Sequence, residues 1–301
     1  MDIQWYPGHM TKTRRMITDN LKMVDAVCEI LDARIPVSSR NNDIAELSKE
    51  KPRLIVLNRV DLADEVKTKE WAAYYRSKGY FVLETNSKNG GGVSAFPSAI
   101  KQLLAEKLAA YREKGQIGRV VRVMICGVPN VGKSSFINRV SGKNIAKAED
   151  RPGVTRDKQW IRVGNGIDLL DTPGMLWPKF DDKRTALNLA FTGAIKDEIL
   201  DIETLASLFM EVLSERYAEN LCARYKITCN DEEPGFDILE RAGKARGFLI
   251  SGGEVNTERM AKTLLDEFRA GALGRITLEN VEDADRVPLE RIELRGMLSE
   301  W

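Results

Sequence analysis

The sequence is poor in the residues that build metal centres and covalent frameworks. Of 301 residues, only four are cysteine and one is histidine. Cys28, Cys126, Cys222 and Cys229 form no C-x-x-C pair, and His9 is far from all of them in sequence. A zinc site and a disulfide framework are therefore not expected, and reduced thiols suit a cytoplasmic protein. No apolar run approaches the ~20 residues of a membrane-spanning helix. Trp5-Tyr-Pro-Gly8 occupies the place where a signal peptide would carry its apolar segment. Net charge is nearly absent, with 46 Lys and Arg against 45 Asp and Glu, so bulk charge predicts no nucleic-acid partner. Internal repeats, long low-complexity segments and coiled-coil heptads are lacking too.

The charge is not spread evenly. Residues 101–163 hold 14 Lys and Arg against 5 Asp and Glu, whereas 279–285 is acidic. The basic stretch fits either a surface for phosphate backbones or a solvated helix face with a few anion-binding cations. The length suits one large domain or two medium ones. Residues 9–24 predict an amphipathic helix, with Met10, Ile17, Leu21 and Val24 near one stripe. Apolar runs at 26–31, 53–57, 80–83 and 119–126 predict strands. Helices are expected at 63–77, at 97–113, and from the glycine-rich loop after 126 to Ser141, with Gly142 as a left-handed stop. Gly164-Asn-Gly166 between 159–163 and 167–170 signals a hairpin. Strands alternating with helices predict an α/β fold with a mostly parallel sheet. Beyond residue 180 the stripes become helical, at 205–213 and at 260–268. The second helix has Asn256 or Thr257 as cap and Gly271 as stop. One further strand is expected at 275–278. The domains are placed at 1–180 and 185–301, the second smaller, mainly helical and, alongside the basic stretch, a candidate surface for RNA or the ribosome.

Four motifs carry chemistry. Gly127-Val-Pro-Asn-Val-Gly132-Lys133-Ser134 fits the phosphate-loop pattern, whose backbone N–H groups and following helix hold anionic phosphates. Lys133 is expected at the β/γ-phosphates, Ser134 on Mg²⁺, and Val131, Gly132 and Ser135 around the nucleotide. Asp171-Thr-Pro-Gly174 follows a strand, as the D-x-x-G of a GTPase second switch does. Asp171 is then a Mg²⁺ residue, and the Gly174 N–H senses the γ-phosphate. Thr155 lies between these motifs and is the candidate first-switch ligand of Mg²⁺. Asn58-Arg-Val-Asp61 resembles the N-K-x-D guanine reader. The Asp61 carboxylate can accept from guanine N1–H and its exocyclic amine, a pairing that adenine cannot offer. Arg59 replaces the usual lysine, and the two differ in stacking. Asn86-Ser87-Lys88 resembles the loop that contacts the guanine edge.

The order of these motifs is unusual, because the base reader precedes the phosphate loop. Each GTPase part occurs once, in the order of a circularly permuted Ras-like domain. The chain resembles the circularly permuted GTPases of the YlqF type, the ribosome biogenesis GTPase A family. Trp5-Tyr-Pro-Gly-His-Met10, Asp32-Ala-Arg-Ile-Pro36, the phosphate loop and Asp171-Thr-Pro-Gly-Met-Leu-Trp177 look like that family's marks. The resemblance is dense over 1–180. It implies a cytoplasmic GTPase that binds GTP and GDP and uses Mg²⁺. It also implies action late in assembly of the large ribosomal subunit, in contact with ribosomal RNA and protein.

Met175 occupies the position where Ras-like enzymes carry the water-orienting glutamine. Two readings of His9 stand side by side, a water-orienting group and an exposed or capping residue. Asn130 also has two readings, a turn residue or, as the family implies, a ligand of K⁺ beside the phosphates. The expected state away from the ribosome is a monomer with no membrane contact. Two alternatives stay open at this level: an RNA-binding assembly factor for which hydrolysis is marginal, and a P-loop ATPase.

Overall fold

The computed structural model describes residues 10–116, 118–143, 159–176, 182–230 and 232–285. They fall into two compact units, 10–176 with 277–285, and 182–276. In the first unit the elements are α1 (Met10–Leu21), β1 (Ala26–Asp32), α2 (Asn42–Leu47), β2 (Arg53–Asn58), α3 (Glu65–Ser77), β3 (Phe81–Thr85), α4 (Phe96–Leu103), α5 (Ala105–Glu113), β4 (Val121–Cys126), α6 (Lys133–Ser141), β5 (Gln159–Gly164) and β6 (Ile167–Asp171).

The six strands lie in the order β3-β2-β1-β4-β6-β5. All neighbours are parallel except β5, which is antiparallel to β6. β1 is buried along its whole length, as its continuous apolar run requires at the centre of a covered sheet. From β1 the order runs one way through β2 and β3, then reverses at β4. The carboxyl ends of β1 and β4 therefore flank the topological switch point, where open α/β sheets bind ligands. One sheet face packs Val27, Met124 and Leu170 against Ile17 and Leu21 of α1, Val24 beyond it and Ile44 of α2. Trp71, Ala72 and Tyr75 of α3 pack on Leu31, Ile55 and Leu57. On α4 and α6, Phe96 and Phe136 meet edge to face at 5.3 Å.

Three local readings change. α2 is too short for periodicity to show, and it is started by Asn41, whose side chain accepts from the N–H groups of Asp43 and Ile44. The single helix expected over 97–113 breaks at Leu104, because α4 buries Phe96, Ala99 and Ile100 whereas α5 buries nothing. Residues 275–278 form no strand. Their bonds go to a loop rather than a ladder: the Leu278 N–H donates to Arg34 O at 2.8 Å and Thr277 Oγ1 to Ala33 O at 3.4 Å.

That segment also moves the domain boundary. The helical unit comprises α7 (Lys183–Phe191), α8 (Ile202–Arg216), α9 (Ala218–Tyr225), α10 (Gly235–Ala245) and α11 (Thr257–Ala270), and ends before Thr277. Its core stacks Phe191 on Phe209 at 4.5 Å and Phe209 against Phe268 at 4.7 Å. Gly235 lets α10 approach α8 closely, since a Cβ there would lie 1.9 Å from the Ser207 carbonyl oxygen. Asn256 caps α11 by accepting from the Arg259 N–H, and Gly271 ends it at φ 82°, as its sequence predicts.

Residues 277–285 instead return to the first unit. The fully buried Glu279 carboxylate accepts from the Val37 N–H at 2.6 Å, the Ser38 N–H at 3.1 Å and the Ser38 hydroxyl. Trp71 Nε1 donates to the Glu279 carbonyl at 3.1 Å. Removing the carboxylate in Glu279→Ala strands buried donors, at a cost of roughly 1–3 kcal/mol for such a group. The first unit is expected to melt several degrees lower, and an unchanged Tm would show that the clasp contributes nothing.

Candidate nucleotide site

The phosphate loop leaves β4 at the switch point and enters α6. Its fit to the sheet is close: a Cβ on Gly127 would lie 2.6 Å from the Ile30 carbonyl oxygen. Asn130 and Gly132 take left-handed backbone, at φ 57° and 94°. Lys133 opens α6 and is buried. Ser134 and Ser135 follow, half-buried.

Asn58, the last residue of β2, is the clamp of the site. Its Nδ2 donates to the Val131 carbonyl at 2.9 Å. Its Oδ1 accepts from Thr85 Oγ1 at 3.1 Å, Ser87 N at 3.1 Å and Ser87 Oγ at 2.8 Å. One amide thus ties the base-reader strand, the loop after β3 and the phosphate loop. Gly132 makes room for it, since a Cβ there would stand 2.4 Å from Asn58 Nδ2. Arg59, itself at φ 61°, donates from Nη2 to the Asn130 carbonyl at 2.5 Å, and its Nε lies 3.8 Å from Asp32 Oδ2. The arginine in place of lysine therefore spans two partners with one planar fork. Burial pushes the Asp32 carboxyl up, but the charges of Arg34 and Arg59 and the hydrogen bonds from Arg34 outweigh it. The net shift is below the ordinary carboxylate value. Asp61 stands exposed on the same turn.

Asn86 sits beside these residues, but its side chain is turned into its own loop. Its Oδ1 accepts from Lys88 N at 2.9 Å and Asn89 N at 3.2 Å, an Asx turn that shapes the loop. Ser87 and Lys88 line a cavity of about 470 Å³ with Ser135, Asn138, Arg139 and Lys143. Arg139 Nη2 closes one wall by donating to Lys88 O at 2.5 Å. Asn138, Arg139 and Lys143 line this cavity outside any motif. The only available signal was their position within three turns of the phosphate-loop lysine.

The Asp171 motif lies against the same loop. Lys133 Nζ and Asp171 Oδ1 pair at 2.5 Å, both buried. Thr172 Oγ1 donates to Ile125 O at 2.9 Å. Gly174 comes so close that a Cβ would lie 2.9 Å from Pro129 Cα, and the Met175 N–H donates to Gly127 O at 3.2 Å. Met175 itself is buried in the α1/α2 cluster, so its side chain faces the core rather than a water. His9 and Thr155 lie outside the described residues. Ser134 and Asp171 supply a hydroxyl and a carboxylate at one end of α6, hard oxygen donors of the kind Mg²⁺ takes.

Base reader, guanine-edge loop, phosphate loop and switch segment thus meet at one sheet edge, in permuted chain order. They define a circularly permuted P-loop GTPase domain. Residues 122–226 match the family model described as 50S ribosome-binding GTPase. The chain is 45% identical over 283 residues to ribosome biogenesis GTPase A of Bacillus cereus, covering 94% of this chain and 95% of that one. It is 30% identical over 295 residues to ribosome biogenesis GTPase A of Thermotoga maritima, covering 98% and 100%. The solved GNP-bound YlqF from T. maritima superposes with a TM-score of 0.62 at 28% identity, over 89% of this chain and 98% of that one. The chain belongs to the ribosome biogenesis GTPase A family. It is a GTP-hydrolysing enzyme, and this sets the ATPase reading aside.

The clamp yields a direct test. Gly132→Ala forces a side chain into left-handed backbone, at ~1–2 kcal/mol, and drives it onto an Asn58 amide held by four bonds. Affinity for guanine nucleotide, measured by titration with a fluorescent analogue, should fall about tenfold or more, the equivalent of ~1.4 kcal/mol. Wild-type affinity would mean that Asn58 does not depend on that clearance.

Proposed function

We propose that this GTPase acts in the cytoplasm at a late step of large ribosomal subunit assembly. In its GTP state it binds the precursor particle through ribosomal RNA and protein, and it leaves after hydrolysis, a monomer when free. The observation that carries the switch is the docking of Asp171–Met175 on the phosphate loop. A backbone bond to Gly127 and an ion pair with Lys133 hold that segment, and Gly174 leaves no room for a side chain against Pro129. Only residues 176–181 separate it from the helical unit. A γ-phosphate engages the same loop, so nucleotide state biases the segment from which the helical unit is suspended.

The residues divide the work. Asp61 reads the guanine edge, while Asn58 holds the reader in place and has a second amide hydrogen to offer the base. Ser87, with the backbone after Asn86, borders the base, and Val131, Gly132 and Ser135 border the phosphates and sugar. Lys133 binds phosphate oxygens, and Asp171, Ser134 and Thr155 would hold Mg²⁺, which would supply charge neutralisation to the phosphates. Asn130, in the phosphate loop beside Arg59, helps hold K⁺. Met175 offers no polar atom for the water, so that task falls to His9.

RNA contact draws support from the basic stretch. Arg122 lies over the ring of the exposed Trp160 at 5.2 Å, and Arg119 over Tyr111 at 4.2 Å. Paired cations and aromatics of this kind suit phosphates and unpaired bases.

Sedimentation with large subunits and their precursors, at stated salt, tests the proposal. A non-hydrolysable GTP analogue should give co-migration and GDP should not. A long flexible insert at 177–181 should abolish the difference. Binding indifferent to nucleotide would leave a constitutive RNA binder, and no binding would remove the ribosomal target. For the water, His9→Ala should keep GTP affinity and lose particle-stimulated turnover. Stimulation at the wild-type level would take His9 out of the reaction.

A further inference from the structure

The four cysteines divide into two pairs of opposite character. Cys28 and Cys126 lie on the central strands β1 and β4, fully buried, and burial pushes both thiols far above their ordinary range. Cys222 and Cys229 lie in the helical unit, both half-buried. Their sulfurs are 3.0 Å apart. No sequence motif announces this pair. It is made by Lys226, which ends α9 in left-handed backbone at φ 55° and turns the chain back on the helix. The Ile227 N–H closes that turn on the Cys222 carbonyl at 3.3 Å. Beyond the pair, Arg241 of α10 holds the loop by donating to Thr228 O at 2.5 Å and pairing with Glu233.

We propose that Cys222 and Cys229 are a reversible thiol modification site, closed to an intramolecular disulfide by low-molecular-weight disulfides such as glutathione disulfide. Among the described residues no group of three or more His, Cys, Asp and Glu could hold a metal. Contact between the sulfurs supplies the proximity that makes the second, intramolecular step fast.

The exchange balances with no further reactant. The Cys222 thiolate attacks one sulfur of the small disulfide, forming a mixed disulfide and expelling one thiolate. Cys229 then loses its proton and attacks the Cys222 sulfur, expelling the second thiolate. Two protein thiols are oxidised, one small disulfide is reduced to two thiols, and the two protons released are taken up by the leaving thiolates. Burial and the Cys222 thiol beside it push the Cys229 thiol up to about 12. With the sulfurs in contact, the same exchange balances with the two cysteines in either order. The bond would staple the end of α9 to the loop that leads into α10.

The full chain, treated with glutathione disulfide, is trapped with N-ethylmaleimide, then denatured and alkylated a second time. Intact and peptide mass spectrometry should show loss of two of four thiols, a mass lower by two hydrogens, and a Cys222–Cys229 cross-link. Cys28 and Cys126 should label only after denaturation. Cys222→Ser and Cys229→Ser should each retain a single glutathione adduct in place of the bond. Wild-type helical circular dichroism and a wild-type Tm show that both variants are folded. Lasting adducts on both wild-type cysteines, two thiols that stay free, or a cross-link between molecules would each overturn the assignment.

Discussion

The nucleotide site depends on one side chain, the Asn58 amide at the end of β2. It binds three segments that the chain supplies from distant places: its own strand, the loop after β3, and the phosphate loop some seventy residues later. In a permuted GTPase the base reader and the phosphate loop cannot rely on chain order for their register. The amide supplies that register instead. Its cost is paid in glycine at position 132, where neither the backbone angle nor the space admits a side chain.

A second set of polar contacts runs along the switch point. Asp32 holds Arg34 through two side-chain bonds of 2.9 and 2.7 Å and reaches Arg59. Such a buried ion pair is weak evidence for stability in itself. Its value here is positional. Asp32 ends the central strand, and around it the fork of Arg59 is aimed at the Asn130 carbonyl. The loop that begins at Asp32 continues to Val37 and Ser38, where Glu279 grips it.

The elements that could be read from the chain are those fixed by local geometry. Continuous apolar runs marked the buried strands, Gly164-Asn-Gly166 marked the hairpin, and Gly142 and Gly271 marked helix ends, because each reports a backbone requirement at its own position. The phosphate loop and Asp171 were legible for the same reason. What was not legible depends on partners. α2 has one buried side chain and hence no period. Residues 275–278 are apolar enough for a strand, but they meet a loop through a hydroxyl and one backbone bond. The Asx turn by which the Asn86 Oδ1 shapes its loop is set by the Lys88 and Asn89 N–H groups, a contact that motif position does not announce. The Cys222–Cys229 contact rests on a left-handed lysine, which no propensity anticipates.

The return of residues 277–285 to the first unit changes what kind of object the helical unit is. It is topologically an insertion, covalently joined to the GTPase unit at both of its ends, rather than an appendage at the end of a chain. Removing it therefore takes two cuts, one before residue 182 and one after 276, and a chain ended at 276 also loses the carboxylate that grips Val37 and Ser38.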